Sequence, residues 1–173
     1  MKKILLPLVL IIFGLLAQSL AQRPYLGGTF AFALNDSTAT FGVQFGANFS
    51  PAFGARGVLS FSSGGGLTGF GFGADGLYLV TTPNSPINPY IGAGVGLGFL
   101  SGFVQGASVS GLVFEGSGVL GVEYLVNRQF AIFAEARPGF ATGSVTGTAG
   151  GSAVSIPISG TTIELRVGAN IFF

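Results

Sequence analysis

The chain has no cysteine and no histidine. Without cysteine there is no disulfide, no thiolate metal site, no thiol nucleophile and no residue to carry a lipid anchor. Without histidine the commonest general base and the commonest transition-metal ligand are both missing. Charge is scarce too, at 8% of residues against 49% hydrophobic. A soluble surface needs more charge than that. The only lysines are Lys2 and Lys3; beyond them five arginines meet six acids. That net charge of −1 leaves no basic face for nucleic acid, which is not expected as a partner. Past residue 21 no apolar run approaches the ~20 residues of a membrane helix.

The apolar residues are instead arranged in two ways. Lys2 and Lys3 open a basic start, Ile4 to Ala17 form an apolar run, and Ser19-Leu20-Ala21 ends it with small residues where a signal peptidase reads. The run is short for a membrane span and contains Pro7 and Gly14. Residues 1–21 are therefore expected to be a cleaved signal peptide, leaving residues 22–173 as one domain.

From Tyr25 onward the pattern is alternation, the signature of strands with one apolar face. Thr40 to Ser50 alternates without error: Phe41, Val43, Phe45, Ala47 and Phe49 share one face. Other strands are expected at Tyr25–Leu34, Ala52–Ser62, Leu67–Val80, from Tyr90, Leu112–Val126, from Gln129, and at the carboxy-terminus. Turns are expected at Asn35-Asp36-Ser37, Gly64-Gly65-Gly66 and Asn127-Arg128, with loops at Thr82–Pro89 and Ser101–Ser110. Pro138 cannot donate to a ladder, so a bulge or break is expected there. Eight strands result, the fold class being an all-β, eight-stranded antiparallel transmembrane barrel.

In the last strand Leu165, Val167, Ala169, Ile171 and Phe173 share the apolar face. Its aromatic end resembles the insertion signal of bacterial outer-membrane β-barrels, which runs polar, Gly, any two, apolar, any, apolar. Gly168, Ile171 and Phe173 match it; Val167 departs, standing where a polar residue is usual. The stretch from Gly121-Val122-Glu123-Tyr124 to Phe130–Arg137 resembles the penultimate hairpin of the small OmpA/OmpX-type barrels. The resemblance is strongest over residues 110–173 and one of rhythm elsewhere. It implies an outer-membrane location, lipid as the main partner and the barrel-assembly machinery as a partner during insertion. No cofactor is implied.

Both termini would then be periplasmic, and Tyr25, Tyr78, Tyr90 and Tyr124 would fall at one level as an interfacial aromatic girdle. Arg56, Asp75, Glu115, Glu123, Glu135, Arg137, Glu164 and Arg166 all take inward parity. On the lipid face such charges would cost up to about 2–4 kcal/mol each. Glu135, Arg137, Glu164 and Arg166 lie at similar heights on adjacent strands, so an internal salt-bridge plug is expected, with a gate as the alternative role. Five inward carboxylates exceed three inward arginines, so any conduction would prefer cations. The inward glycines, Gly92, Gly94, Gly96 and Gly98 among them, are expected to make room for large neighbours.

Gly71-Phe72-Gly73-Ala74-Asp75-Gly76 fits a dinucleotide-binding pattern in letters only. A strand-like segment follows where a helix is required. Small-barrel acyltransferases and deacylases use a His with a Ser, which excludes that chemistry. Carboxylate pairs could serve a glycosidase or an aspartic protease, but not in a narrow lumen with arginine between them. The expected role is structural and non-enzymatic, with a narrow, weakly cation-preferring pore as runner-up. Surface adhesion or envelope-protein contact through uncharged external hairpins, one with its tip at Gly150-Gly151, comes third. A soluble ligand-binding barrel would need the opposite polarity.

If the last strand carries the insertion signal, deleting Phe173 lowers the amount of protein assembled in the outer membrane and raises periplasmic degradation. Equal membrane yield from the deleted and intact proteins would count against that reading.

Overall fold

The structure is a computed structural model describing residues 23–35, 38–80, 85–104, 107–149 and 152–173. The expected signal peptide, the Asp36-Ser37 part of the first turn, residues 81–84 of a loop and the Gly150-Gly151 tip lie outside the described residues. Eight strands follow one another: β1 (Arg23–Ala33), β2 (Ala39–Asn48), β3 (Phe53–Gly64), β4 (Leu67–Leu79), β5 (Ile87–Val104), β6 (Ala107–Leu125), β7 (Phe130–Ala149) and β8 (Ser152–Phe172). Each pairs antiparallel with the next, and β8 closes on β1, making a closed barrel. Closure leaves no ladder edge through the body of the sheet, which is what lets strands cross a medium without water.

The exterior is apolar. Phe41, Phe45, Phe61, Phe70, Phe114, Leu165 and Ile171 all stand outward and exposed. In water this surface would be a large apolar patch; in a bilayer it is the lipid-facing belt. The alternation was therefore read on the correct faces.

Turn chemistry fixes register. Gly65 and Gly66 take φ of 58° and 80°, as a two-residue hairpin turn demands at both central positions. That turn sets Gly64 opposite Leu67 and, eight residues down each strand, Arg56 opposite Asp75.

Three expectations need correction. The loop at Ser101–Ser110 is mostly strand: β5 runs to Val104 and β6 starts at Ala107. β5 also begins three residues earlier than Tyr90, at Ile87, with Pro89 paired to Val122. Serine, glycine and small apolar residues suit a continued ladder as well as a loop, so composition misled. At Pro138 the β6–β7 ladder skips between Ser117↔Gly139 and Leu120↔Ala136 without a change of register, while Pro138 stays opposite Ile163 of β8. The missing N–H thus opens a short gap on one side and makes no bulge.

Strands β1 to β4 have 11, 10, 12 and 13 residues, close to what a tilted membrane strand needs. Strands β5 to β8 have 18 to 21, so one side of the barrel stands taller at the hairpin end.

The two faces should respond differently to charge. Leu59→Arg, on the outer face, is expected to destabilise by about 2–4 kcal/mol near the bilayer midplane. Ser60→Arg, one residue on but facing the lumen, should cost distinctly less. Urea unfolding in lipid vesicles checks this; equal costs would contradict the assignment of faces.

Candidate functional site

Eight strands leave an interior just wide enough for side chains. The lumen divides into three levels. Near the termini it is filled by Tyr25, Leu77, Leu79, Tyr90, Val119, Phe133 and Phe172, all buried. Tyr25 and Phe172 rings meet at 5.4 Å, and the Arg23 guanidinium lies 4.2 Å above the Phe172 ring. The residual void here is about 20 Å³, room for about one water.

The middle level is ionic. Arg56 on β3 donates from Nε to Asp75 Oδ2 at 2.7 Å. It also grips Glu135 on β7 with both Nη atoms, Nη1 to Oε1 and Nη2 to Oε2, the latter at 2.8 Å. Arg137 on β7 donates to both oxygens of Asp75 at 2.8 Å, to Ser117 Oγ at 2.9 Å, and lies 3.5 Å from Glu135. Tyr90 donates its hydroxyl to Glu135 at 2.6 Å. Strands β3 and β7 are four apart in a ring of eight, so Arg56 and Glu135 meet across the lumen from opposite walls. Two guanidinium groups and two carboxylates are balanced, with bidentate geometry, the strong form of such contacts.

Toward the hairpin end lies a cavity of about 360 Å³. Asp75 and Arg137 form its floor, and Glu115, Glu164 and Arg166 stand on its wall. Arg166 donates to Glu164 Oε1 from Nε at 3.1 Å and Nη2 at 2.8 Å. Glu164 Oε1 also lies 3.9 Å from Arg137. Below the ionic level, Gln44 donates to Asn170 at 2.6 Å and Asn170 donates to Glu123 at 3.4 Å.

All eight singled-out charges thus face the lumen, and the four at similar heights are linked, Arg137 to Glu135 and Glu164, and Arg166 to Glu164, but one register pair is not made. Glu135 and Arg166 are register partners, yet Glu135 turns to Arg56 and Tyr90, while Arg166 stays with Glu164. The contact that dominates comes from the opposite wall, which parity along one hairpin cannot reveal. The Arg56–Asp75 half was legible, because the glycine turn fixes that register.

The aromatic girdle must also be corrected. Tyr78 and Tyr124 stand outward, but Tyr25 and Tyr90 are 8% and 6% exposed and face the lumen. Their neighbours Leu26 and Ile91 are the outward ones, so strand parity carried the signal and common height overrode it. Gly168, Ile171 and Phe173 sit as the last strand requires: Gly168 lies under the Phe133 ring and the other two point outward. Gln44 and Asn170 were not singled out from the sequence; both have inward parity on faultlessly alternating strands. Among the described residues no three metal-ligating side chains come together.

No protein-family model matches this chain, and no curated protein matches it in sequence. Solved structures do match. The amino-terminal β-barrel domain of Pseudomonas aeruginosa OprF has a TM-score of 0.65 at 11% identity, covering 88% of this chain and 98% of that one. Outer membrane protein OprG from Pseudomonas aeruginosa has a TM-score of 0.64 at 15% identity, over 88% and 96%. A structure from de novo design of transmembrane β-barrels has a TM-score of 0.52 at 13% identity, over 88% and 97%. At such identities the likeness is one of fold, and fold alone does not assign activity. The resemblance to the small OmpA/OmpX-type barrels holds at that level. Closed antiparallel strands, an apolar exterior and a charged interior together make this a β-barrel of the bacterial outer membrane.

Proposed function

We propose that the protein is a structural barrel of the outer membrane whose lumen is closed at rest by the layer of Arg56, Asp75, Glu135 and Arg137. The observation that carries this reading is the contact from opposite walls, Arg56 to Glu135, with Tyr25, Tyr90 and Phe172 packed beneath it. An ion would have to separate bidentate pairs and displace aromatic rings. The role is read as non-enzymatic: Asp75 and Glu135 are engaged by guanidinium groups, which leaves neither free as an acid or a base. The surrounding lipid is the main partner, and the barrel-assembly machinery is the partner expected during insertion after removal of residues 1–21.

A narrow, cation-preferring pore is the second reading, favoured by Glu115 and Glu123, which lack an ionic partner among the described residues. Contact with other envelope proteins through the hairpins ranks lower. Among the described residues the β1–β8 ladder ends at Ala33↔Glu164, with Leu34 N–H on the Ile163 carbonyl and Asn35 Nδ2 on the Thr161 carbonyl, and the β8 segment beyond them offers an edge. Counting back by twos along that side puts Pro157 on the same edge, where its missing N–H interrupts strand pairing.

Purified barrel in a planar bilayer distinguishes the readings. The intact protein should conduct little, and Arg137→Ala should raise a cation-preferring current. Removing Arg137 also strands Asp75 without its bidentate partner, so unfolding should become easier by about 3–5 kcal/mol if the layer is dry and less if water enters. Large, anion-selective currents unchanged by the substitution would refute the closed layer.

A further inference from the structure

The polarity of the sheet reverses along β6, β7 and β8, though not on β5, where Phe103 stays outward and exposed. At mid-height the outward residues of β6, β7 and β8 are Phe114, Phe140 and Ile163, the apolar belt. Toward the hairpin end the outward positions become Ser110, Ser144, Thr146, Ser155 and Ser159, all exposed. The inward positions change the opposite way. Beyond Glu164 they pass Thr162 and Gly160 and become Ile158, Ile156 and Val154 on β8, with Val145 of β7 opposite Ile156 and Val109 on β6. Val154 and Ile156 are 50% and 59% exposed although they stand on the concave side. A polar back and an apolar inner face are what a sheet standing in water shows when its inner face is meant to be covered.

This wall runs down into the cavity, for Ile158 lines it, as do Val113 and Ala141. The ionic groups of floor and wall are balanced: Asp75 with Arg137 on the floor, and Glu164 with Arg166 on the wall. Glu115 is the exception. It lines the cavity, is exposed to it, and has no ion pair or hydrogen bond among the described residues. The wall beside it is bare, since a Cβ on Gly96 or Gly98 would lie 3.7 Å from Glu115 Cβ or 3.9 Å from its Oε1. Arg166 Nη1 also lacks a partner but has no accessible surface, so the charge within reach is the carboxylate.

We propose that this continuous groove binds a small amphiphile with a cationic head, the ammonium on Glu115 and the alkyl chain along Ile158, Ile156 and Val145. Glu115 is level with Ala141 and Gly160. From Gly160 to Ile156 the strand rises about 13 Å, the reach of a medium-length alkyl chain. An anionic head would meet Glu115 and Glu164, and a bare cation would leave the apolar wall uncovered.

The test uses the full barrel in lipid nanodiscs, followed by isoleucine and valine methyl resonances, with octyltrimethylammonium, octanoate and tetramethylammonium as probes. Octyltrimethylammonium should give saturable shifts at Ile156 and Ile158, at least about tenfold tighter than octanoate or tetramethylammonium. Glu115→Gln should lose about tenfold in affinity for the long-chain cation. Gly98→Val should weaken binding by filling the cavity with Glu115 intact, its fold confirmed by the mobility difference between unheated and boiled protein. Equal binding of octanoate and octyltrimethylammonium, or indifference to Glu115→Gln, overturns the proposal. So does concentration-dependent dimerisation that covers the same isoleucines, which would make the wall an interface between copies. The readout is binding rather than current, so it stands apart from whether the lumen is closed.

Discussion

Everything inside this barrel is governed by how little room eight strands leave. A large inward side chain needs a partner strand without a Cβ at the same height, and the register supplies one repeatedly. Tyr25 lies opposite Gly46, Leu77 opposite Gly92, Asp75 opposite Gly94, Tyr90 opposite Gly121 and Phe133 opposite Gly168. A Cβ on Gly46 would come within 2.6 Å of the Tyr25 ring, and one on Gly168 within 2.7 Å of Phe133. A Cβ on Gly94 would run into the Asp75 carboxylate and stand 3.1 Å from Arg137 Nη2. The glycines are thus the negative of the lumen's contents, and the ionic layer could not lie flat against β5 without one of them. Gly96 and Gly98 are different: they face the cavity, so that part of the bare wall stays open.

The same narrowness explains why the charges are balanced where they are. Desolvating a carboxylate or a guanidinium is costly, and attraction repays it only with good geometry and few leftover groups. At the ionic level every acid oxygen is taken, Arg56 donating three times from one wall, Arg137 twice from the other, and Tyr90 once. A layer of this kind is weak evidence for stability, because apolar residues of the same volume could do as well. Strand order already sets β3 opposite β7; within that frame each bidentate pair tolerates one arrangement of the side chains that meet across the lumen.

How much of this could be read from the sequence depends on the range of the interaction. Strand faces were legible because alternation is local, and the Arg56–Asp75 pairing because two glycines set a hairpin register. Tyr25 and Tyr90 were placed in a girdle by their height, although the parity of Leu26 and Ile91 already turned them inward. The Arg56–Glu135 contact was not legible, because it joins residues 79 apart across the lumen and no local pattern encodes which opposite wall a long side chain will reach. On the tall side, the uncharged hairpin with its expected tip at Gly150-Gly151 was legible as an extension of the last two strands, whereas its β5–β6 half was missed. Near Ser110 the outward residues change from apolar to polar, and a template expecting one polarity along the whole strand reads the reversal as a loop.

The charge imbalance has a position as well as a size. Five acids face the lumen with Arg56, Arg137 and Arg166, and Arg23 stands over Phe172 at the terminal mouth; among the described residues the two acids without an ion pair are Glu115 and Glu123. Glu115 stands in the open cavity on the hairpin side of the ionic layer. Glu123 lines the small void on the terminal side, with only a long hydrogen bond from Asn170. The neutral layer is therefore flanked by one unpaired carboxylate above and one below. On the proposed reading of a closed lumen, Glu115 would draw a cation toward the layer from the hairpin side, while Arg23 at the terminal mouth offsets part of the Glu123 charge on the other. Selectivity and closure would then reside in different residues, so a substitution that opens the layer need not change the sign of the charge that passes.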